Sequence, residues 1–265
     1  MKRISYFGLA FAAMMAFAVV PASATPPIDS VVYDLYVFGD CAISGANVSV
    51  DNFPIQITID DPNMVCPEGY ANLHTWTLSA DGGGTAADFQ NADAFKLSAI
   101  LTITGDADGE AGLRISPWWS LLVDGRFNVR STDGEIACFG GRVPFFSFTA
   151  TFVVNYVKGT PIYLEVIYIP NALTMANPAT IEYKLTYAGN MYTSGPLPFD
   201  EGNVAEGVIH GNWGMLQPAW VGGYTQNFIQ SGTQLRSDWQ DICFQDLLPV
   251  QVEESSWGQL KDLYR

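Results

Sequence analysis

Apolar and polar residues alternate along most of the chain. The pattern is cleanest in FKLSAILTIT (95–104), PIYLEVIYI (161–169) and ATIEYKLTYA (179–188), where every second residue is aliphatic or aromatic. A period of two is the repeat of a β-strand that buries one face, because successive side chains point to opposite sides of the backbone. The stretches VVYDLYVF (31–38), PIQITID (54–60), LHTWTLS (73–79), AGLRIS (111–116), GRFNVRS (125–131), GEIACF (134–139) and FTATFVVNYV (148–157) are similarly rich in β-branched and aromatic residues, and are read as strands. Turn-forming groups separate them: DGGG at 81–84, GDADGE at 105–110, VDG at 123–125, TDG at 132–134, KGT at 158–160 and AGN at 188–190.

Turns at intervals of about ten residues between alternating strands predict an all-β fold, an antiparallel two-sheet β-sandwich of the jelly-roll kind. Crossover helices, which parallel strands need, have no counterpart in the pattern. The expected organisation is a signal segment over 1–24, one sandwich domain over 25–247, and a linker and tail over 248–265. A break at Gly82–Gly84 would instead set off a small amino-terminal sheet over 28–80.

The first 24 residues carry Lys2 and Arg3, then an apolar run from Ile4 to Val20, then Pro21-Ala22-Ser23-Ala24, the layout of a cleaved secretory signal. Export to the cell surface or medium is therefore expected, with no transmembrane segment in the mature chain. Composition sharpens this picture. The chain has 12 basic and 27 acidic residues, a net charge of −15, and loss of Lys2 and Arg3 with the signal leaves −17. A surface that acidic repels nucleic-acid phosphates, so nucleic acid is excluded as a partner.

Cys41, Cys66, Cys138 and Cys243 are an even set at wide spacing in an exported chain, which favours two disulfides over a zinc site. Three connectivities are open, of which Cys41–Cys66 with Cys138–Cys243 is preferred. In GDADGEAG, Asp106, Asp108 and Glu110 place oxygen ligands at alternate positions around Gly109, which suits calcium; the same residues are also ordinary turn formers. No other cofactor is indicated.

Sugar rings are held by aromatic faces with polar groups beside them. Trp118 and Trp119, and Trp213 and Trp220 in GNWGMLQPAWVGGY, are candidates, against their being core residues. Arg114, Arg126, Arg130 and Arg142 concentrate in the middle of the chain and suit either an acidic sugar or internal ion pairs. The candidate ligand-binding set is Trp118, Trp119, Arg114, Arg142 and Trp213.

Catalytic signatures are sparse. A retaining glycosidase needs two carboxylates about 5 Å apart, and Glu135, Glu165 and Glu182 are single acids on strands. His74 and His210 are the only histidines, and no G-x-S-x-G elbow accompanies them.

The segments FKLSAILTITGDADGEAGLRISPWW, DGRFNVRSTDGEIACFGG, YVKGTPIYLEVIYIPN and ATIEYKLTYAGNMYTSG together resemble the concanavalin A-like lectin/glucanase superfamily, over about residues 89–229. The resemblance implies a twisted jelly roll whose concave face binds carbohydrate in many members and is structural in others. In the glucanase branch the catalytic acids come from a strand reading E-x-D-x-x-E or E-x-D-x-E, which this chain lacks. VEESSWGQLKDLYR (252–265) resembles short tails that end otherwise unrelated exported bacterial proteins, and implies a sorting machinery that reads it. Ser256 and Gln259 fit a capping box for a short helix there.

The function expected is that of an exported, non-catalytic carbohydrate-binding or cell-surface β-sandwich, with polysaccharide or a surface glycan as partner. A glucanase-type glycoside hydrolase and a ligand-free envelope protein are the alternatives.

Overall fold

The computed structural model describes residues 25–36, 47–62, 73–115, 123–201, 211–227 and 232–247. The expected signal segment at 1–24, the tail at 248–265, Trp118, Trp119, His210, Cys41 and Cys66 lie outside the described residues.

Fourteen strands are described: β1 (Ser30–Tyr36), β2 (Asn47–Asn52), β3 (Gln56–Asp61), β4 (Leu73–Ser79), β5 (Phe95–Thr104), β6 (Gly109–Ile115), β7 (Gly125–Arg130), β8 (Ile136–Phe139), β9 (Phe146–Ser147), β10 (Ile162–Ile169), β11 (Thr180–Tyr187), β12 (Asn190–Pro198), β13 (Val221–Asn227) and β14 (Leu235–Asp246). They form two antiparallel seven-stranded sheets, a first ordered β1-β4-β13-β6-β7-β8-β9 and a second ordered β12-β11-β10-β5-β14-β3-β2. The fold is an all-β two-sheet sandwich. Its amino-terminal strands are shared between the layers, β1 and β4 in the first sheet and β2 and β3 in the second, so the described strands within 28–80 belong to the same two sheets as the rest.

The core lies between the sheets. From the first it takes Trp76, Leu78, Leu113, Ile115, Phe127, Val129, Ile136 and Val221; from the second, Ile57, Ile59, Leu97, Leu101, Ile103, Leu164, Val166, Ile181, Leu185 and Trp239. Trp76 and Trp239 meet across the layers edge to face, 6.0 Å between ring centroids. Burial of this much aliphatic and aromatic surface, at about 25 cal/mol per Å², is the main favourable term.

FTATFVVNYV departs from its expected strand. Ser147 caps a five-residue helix, α1 (Phe148–Phe152), by accepting a hydrogen bond from the Ala150 N–H, and Val153 ends it in the left-handed region at φ 56°. The cap and the packing of Phe148 and Phe152 against Phe146 outweigh the β-preference of the sequence.

Cysteine pairing is the second correction. Cys138 and Cys243 are both free. Cys138 points into the core from β8, where burial pushes its thiol pKa well up, whereas Cys243 is exposed on β14 next to core-facing Ile242. Cys138 therefore lies between the sheets and Cys243 on the outer side of the second, and the two cannot be bridged. The preferred Cys41–Cys66 pairing lies outside the described residues.

Candidate functional site

The two sheets treat their outer faces differently. In the second sheet β10 and β11 alternate between buried and half-buried residues, as strands with one wet side should. In the first sheet all of β4 and β6, and all but one residue in each of β7 and β13, are buried on both faces. Among the residues pointing away from the core there, Thr75, Thr77, Glu110, Arg114, Arg126 and Asn128 are polar and yet withdrawn from solvent, beside the apolar Leu73. Six buried polar side chains on the outer side of a sheet mark this face as the candidate site, because desolvated polar groups are costly unless they are put to use.

Register aligns these residues in rows across the strands. One row runs Val32, Thr77, Gly222, Arg114, Arg126, Phe139; the next runs Asp34, Thr75, Tyr224, Gly112, Asn128, Ala137; a third holds Gln226, Glu110 and Arg130. Gly222 and Gly112 carry no side chain in the first two rows, and the Tyr224 ring stands over Gly112. Close strand approach explains them: a Cβ at Gly222 would fall 2.0 Å from the Trp76 carbonyl oxygen, and one at Gly112 would fall 1.7 Å from that of Phe127.

Hydrogen bonds tie the face together. Arg114 Nη2 donates to Thr77 Oγ1 at 2.7 Å. Arg126 Nη1 donates to Glu110 Oε1 at 3.2 Å, and Asn128 Nδ2 donates both to Glu110 Oε2 at 2.5 Å and to the Tyr224 hydroxyl at 3.0 Å. The Arg126 guanidinium lies over the Tyr224 ring at 4.4 Å and the Phe139 ring at 5.6 Å, a cation held between two π faces. Burial, then the charge of Arg126, push the Arg114 pKa down to about 10, with Asp34 acting in the opposite sense. Burial, then the charge of Glu110, raise the Tyr224 hydroxyl well above its ordinary value, so it stays protonated. A cavity of about 140 Å³ lies between the β1–β4 edge of the first sheet, where Tyr33, Asp34, His74 and Thr75 line it, and Asn47, Val48 and Ile59 of the second.

Of the expected ligand residues, Arg114 belongs to this face. Arg142 does not. It is fully buried, bonded through Nη2 and Nε to Asp124 Oδ1 at 2.6 and 3.1 Å and 3.8 Å from Asp200. Asp124 in turn accepts from the Leu216 N–H, and Asp200 accepts from the backbone N–H groups of Gly211 and Trp213. Asp200 thus links Arg142 to the backbone N–H of Trp213, which places both residues in this network and not on the first-sheet face. Trp220 donates its indole N–H to Asp88.

The three acids read as a calcium set go separate ways. Asp106 accepts from the backbone N–H groups of Thr233 and Gln234 and holds its pKa low by doing so. Glu110 joins the first-sheet face. Asp108 pairs with Lys158 at 3.0 Å, and the same ammonium bonds the Ala107 carbonyl at 2.7 Å and that of Gly105 at 3.4 Å. Lys158 thus sits where a cation bound by this loop would sit. Among the described residues no three His, Cys, Asp or Glu side chains are placed to hold a metal ion.

The single strand acids lie elsewhere. Glu165 meets Tyr163, Lys96 and Lys184 on the outer face of the second sheet, with Glu182 beside Lys184. Glu135 pairs with Arg130. His74 stands 3.5 Å from Asp61.

Tyr224, Asn128, Thr75 and Thr77 were not singled out from the sequence. The signal was present in two strands: in GEAGLRI the residues Glu110, Gly112 and Arg114, and in GRFNVR the residues Arg126, Asn128 and Arg130, occupy the alternate positions that Ala111, Leu113, Phe127 and Val129 leave for the other face.

No family model matches the chain, and no curated protein matches its sequence significantly. Solved structures similar to it include a functionally unknown protein from Saccharomyces cerevisiae (7% identity, TM-score 0.40, 76% of this chain and 93% of that one). An alginate lyase from Corynebacterium sp. is 9% identical at TM-score 0.40, over 74% and 83% of the two chains. A seed lectin from Lotus tetragonolobus is 10% identical at TM-score 0.40, over 83% and 95%. Likenesses at these scores say nothing of this chain's ligand.

Proposed function

We propose that the protein is an exported carbohydrate-binding β-sandwich whose ligand face is the outer side of the first sheet. The observation that carries this reading is the burial of Thr75, Thr77, Glu110, Arg114, Arg126 and Asn128 on a face that has no hydrophobic core to serve. Hydroxyl-rich ligands are recognised by this inventory: amide and hydroxyl groups that both donate and accept, charged groups with fixed forks, and an aromatic ring alongside. Tyr224 and Phe139 supply rings, and Asn128 and the threonines supply adaptable polar groups.

Binding of the purified protein to a panel of neutral and acidic polysaccharides tests the reading, beside Asn128→Ala and the second-sheet control Glu165→Gln. Saturable binding weakened at least 10-fold by Asn128→Ala and unchanged by Glu165→Gln supports it. Folded protein that binds no glycan overturns it in favour of a structural surface protein. Export follows from the amino-terminal segment, and an extracellular or surface-bound chain beginning at Thr25 is the expected mature form.

A further inference from the structure

We infer that the ligand of the first-sheet face carries a carboxylate, that is, a glycan containing hexuronate residues, and that Arg114 and Arg126 read it. This inference rests on the carbohydrate reading above and adds the chemical class of the sugar.

Arg114 and Arg126 are direct cross-strand partners in the β6–β7 ladder. Like charges in that relation repel, since their Cβ atoms stand about 5 Å apart. On an exposed strand pair, water would screen the repulsion. Here both residues are more than nine-tenths buried, at 2% and 6% exposure, so the repulsion acts in a medium of low dielectric. The downward push of Arg126 on the Arg114 pKa is the same repulsion seen as titration.

A fold that needed only to fill these positions would use uncharged residues, as it does at Thr77 and Gly222 in the same row. The arrangement is also held in place. Glu110 fixes one edge of Arg126 while Asn128 fixes Glu110, and the Tyr224 ring backs the guanidinium, which leaves the Arg126 Nε with no hydrogen-bond acceptor among the described residues. Arg114 and Arg126, cross-strand neighbours on one face, can together hold one carboxylate, which accepts paired N–H donors from an arginine and offsets the repulsion between the two. Arg126 is therefore a positioned donor, and Arg114 the residue whose removal most changes the preference for charge.

The test uses the full mature chain with two polyuronates, polygalacturonate and glucuronan, each beside its carboxyl-reduced neutral form, at two salt concentrations. The inference expects each acidic polymer that binds to do so at least 10-fold more tightly than its reduced form. It also expects Arg114→Gln to remove that preference, with residual binding to the neutral form retained and folding confirmed by the melting transition. Equal binding of acidic and reduced polymers, or binding confined to neutral polysaccharides, overturns the carboxylate and leaves the carbohydrate reading standing. Absence of binding to every polymer, acidic or neutral, overturns both. Should Arg114→Gln fail to fold, Arg126→Lys, which keeps the charge and loses the fork, takes its place with the same expected loss of preference.

Discussion

Arg114 on β6 faces Arg126 on β7 directly across the ladder, both buried and both on the side of the first sheet that points away from the core. That relationship separates the two sheets in kind. The second sheet's outer face is an ordinary wet surface of paired ions; the first sheet's is a desolvated polar surface with an arginine pair in it.

The wet face gives the first prediction. Glu165→Gln breaks ion pairs of 3.7 and 3.8 Å to Lys96 and Lys184. Such pairs contribute less than about 1 kcal/mol near a surface. Urea unfolding should show a loss within that limit.

Arg142 is the opposite case. Its guanidinium is wholly buried against Asp124, and removing one partner strands the other charge. Arg142→Met is expected to cost about 3–5 kcal/mol by the same urea titration. A cost below about 1 kcal/mol would mean that Asp124 is not stranded by the loss of its partner.

The strand floor is equally demanding. A methyl group at Gly222 would lie 2.0 Å from the Trp76 carbonyl oxygen, backbone that cannot swing away. Gly222→Ala should destabilise by about 1–3 kcal/mol or more, the range for overpacking, whereas Gly189→Ala, with open space around its Cβ, should act only through its φ of +79°.

Asp81 links the DGGGT turn to pH. The backbone N–H of Thr85 first, with the hydroxyls of Ser79 and Thr85 and the N–H of Gly84, lowers its pKa to about 2. A carboxylate with a depressed folded pKa contributes in full above its unfolded value near 4, and the contribution is lost as pH falls through 2. The melting temperature of Asp81→Ala should therefore lie below that of the parent at pH 7, and the two should converge as pH approaches 2.

Metal removal should leave the loop at 105–108 undisturbed, because Lys158 already supplies its cation. Addition of a chelator is expected to leave the melting temperature unchanged, while Lys158→Met lowers it. A fall in melting temperature with chelator, restored by calcium, would show that the ammonium does not hold the loop alone.

Strand existence was legible in β5, β10 and β11, which follow the pattern of FKLSAILTIT, PIYLEVIYI and ATIEYKLTYA closely, whereas β2 and β14 were not read as strands. β12 and β13 escaped it because Asn190–Pro198 and VGGYTQN are rich in glycine, proline and polar residues; their pairing comes from neighbours and not from their own propensity. α1 escaped for the converse reason, a local cap overriding β-formers. At the site, Arg114 could be found because arginine is scarce in so acidic a chain. Tyr224 could not, since only its register opposite Gly112 and Thr75 shows that it faces away from the core.

Engagement of ligand by the first sheet's outer face is tested by amide hydrogen exchange with and without a saturating concentration of a bound polysaccharide. Added protection in β4, β6, β7 and β13 and none in β10 and β11 is expected; protection confined to the second sheet, or spread equally over both, would contradict ligand binding at this face.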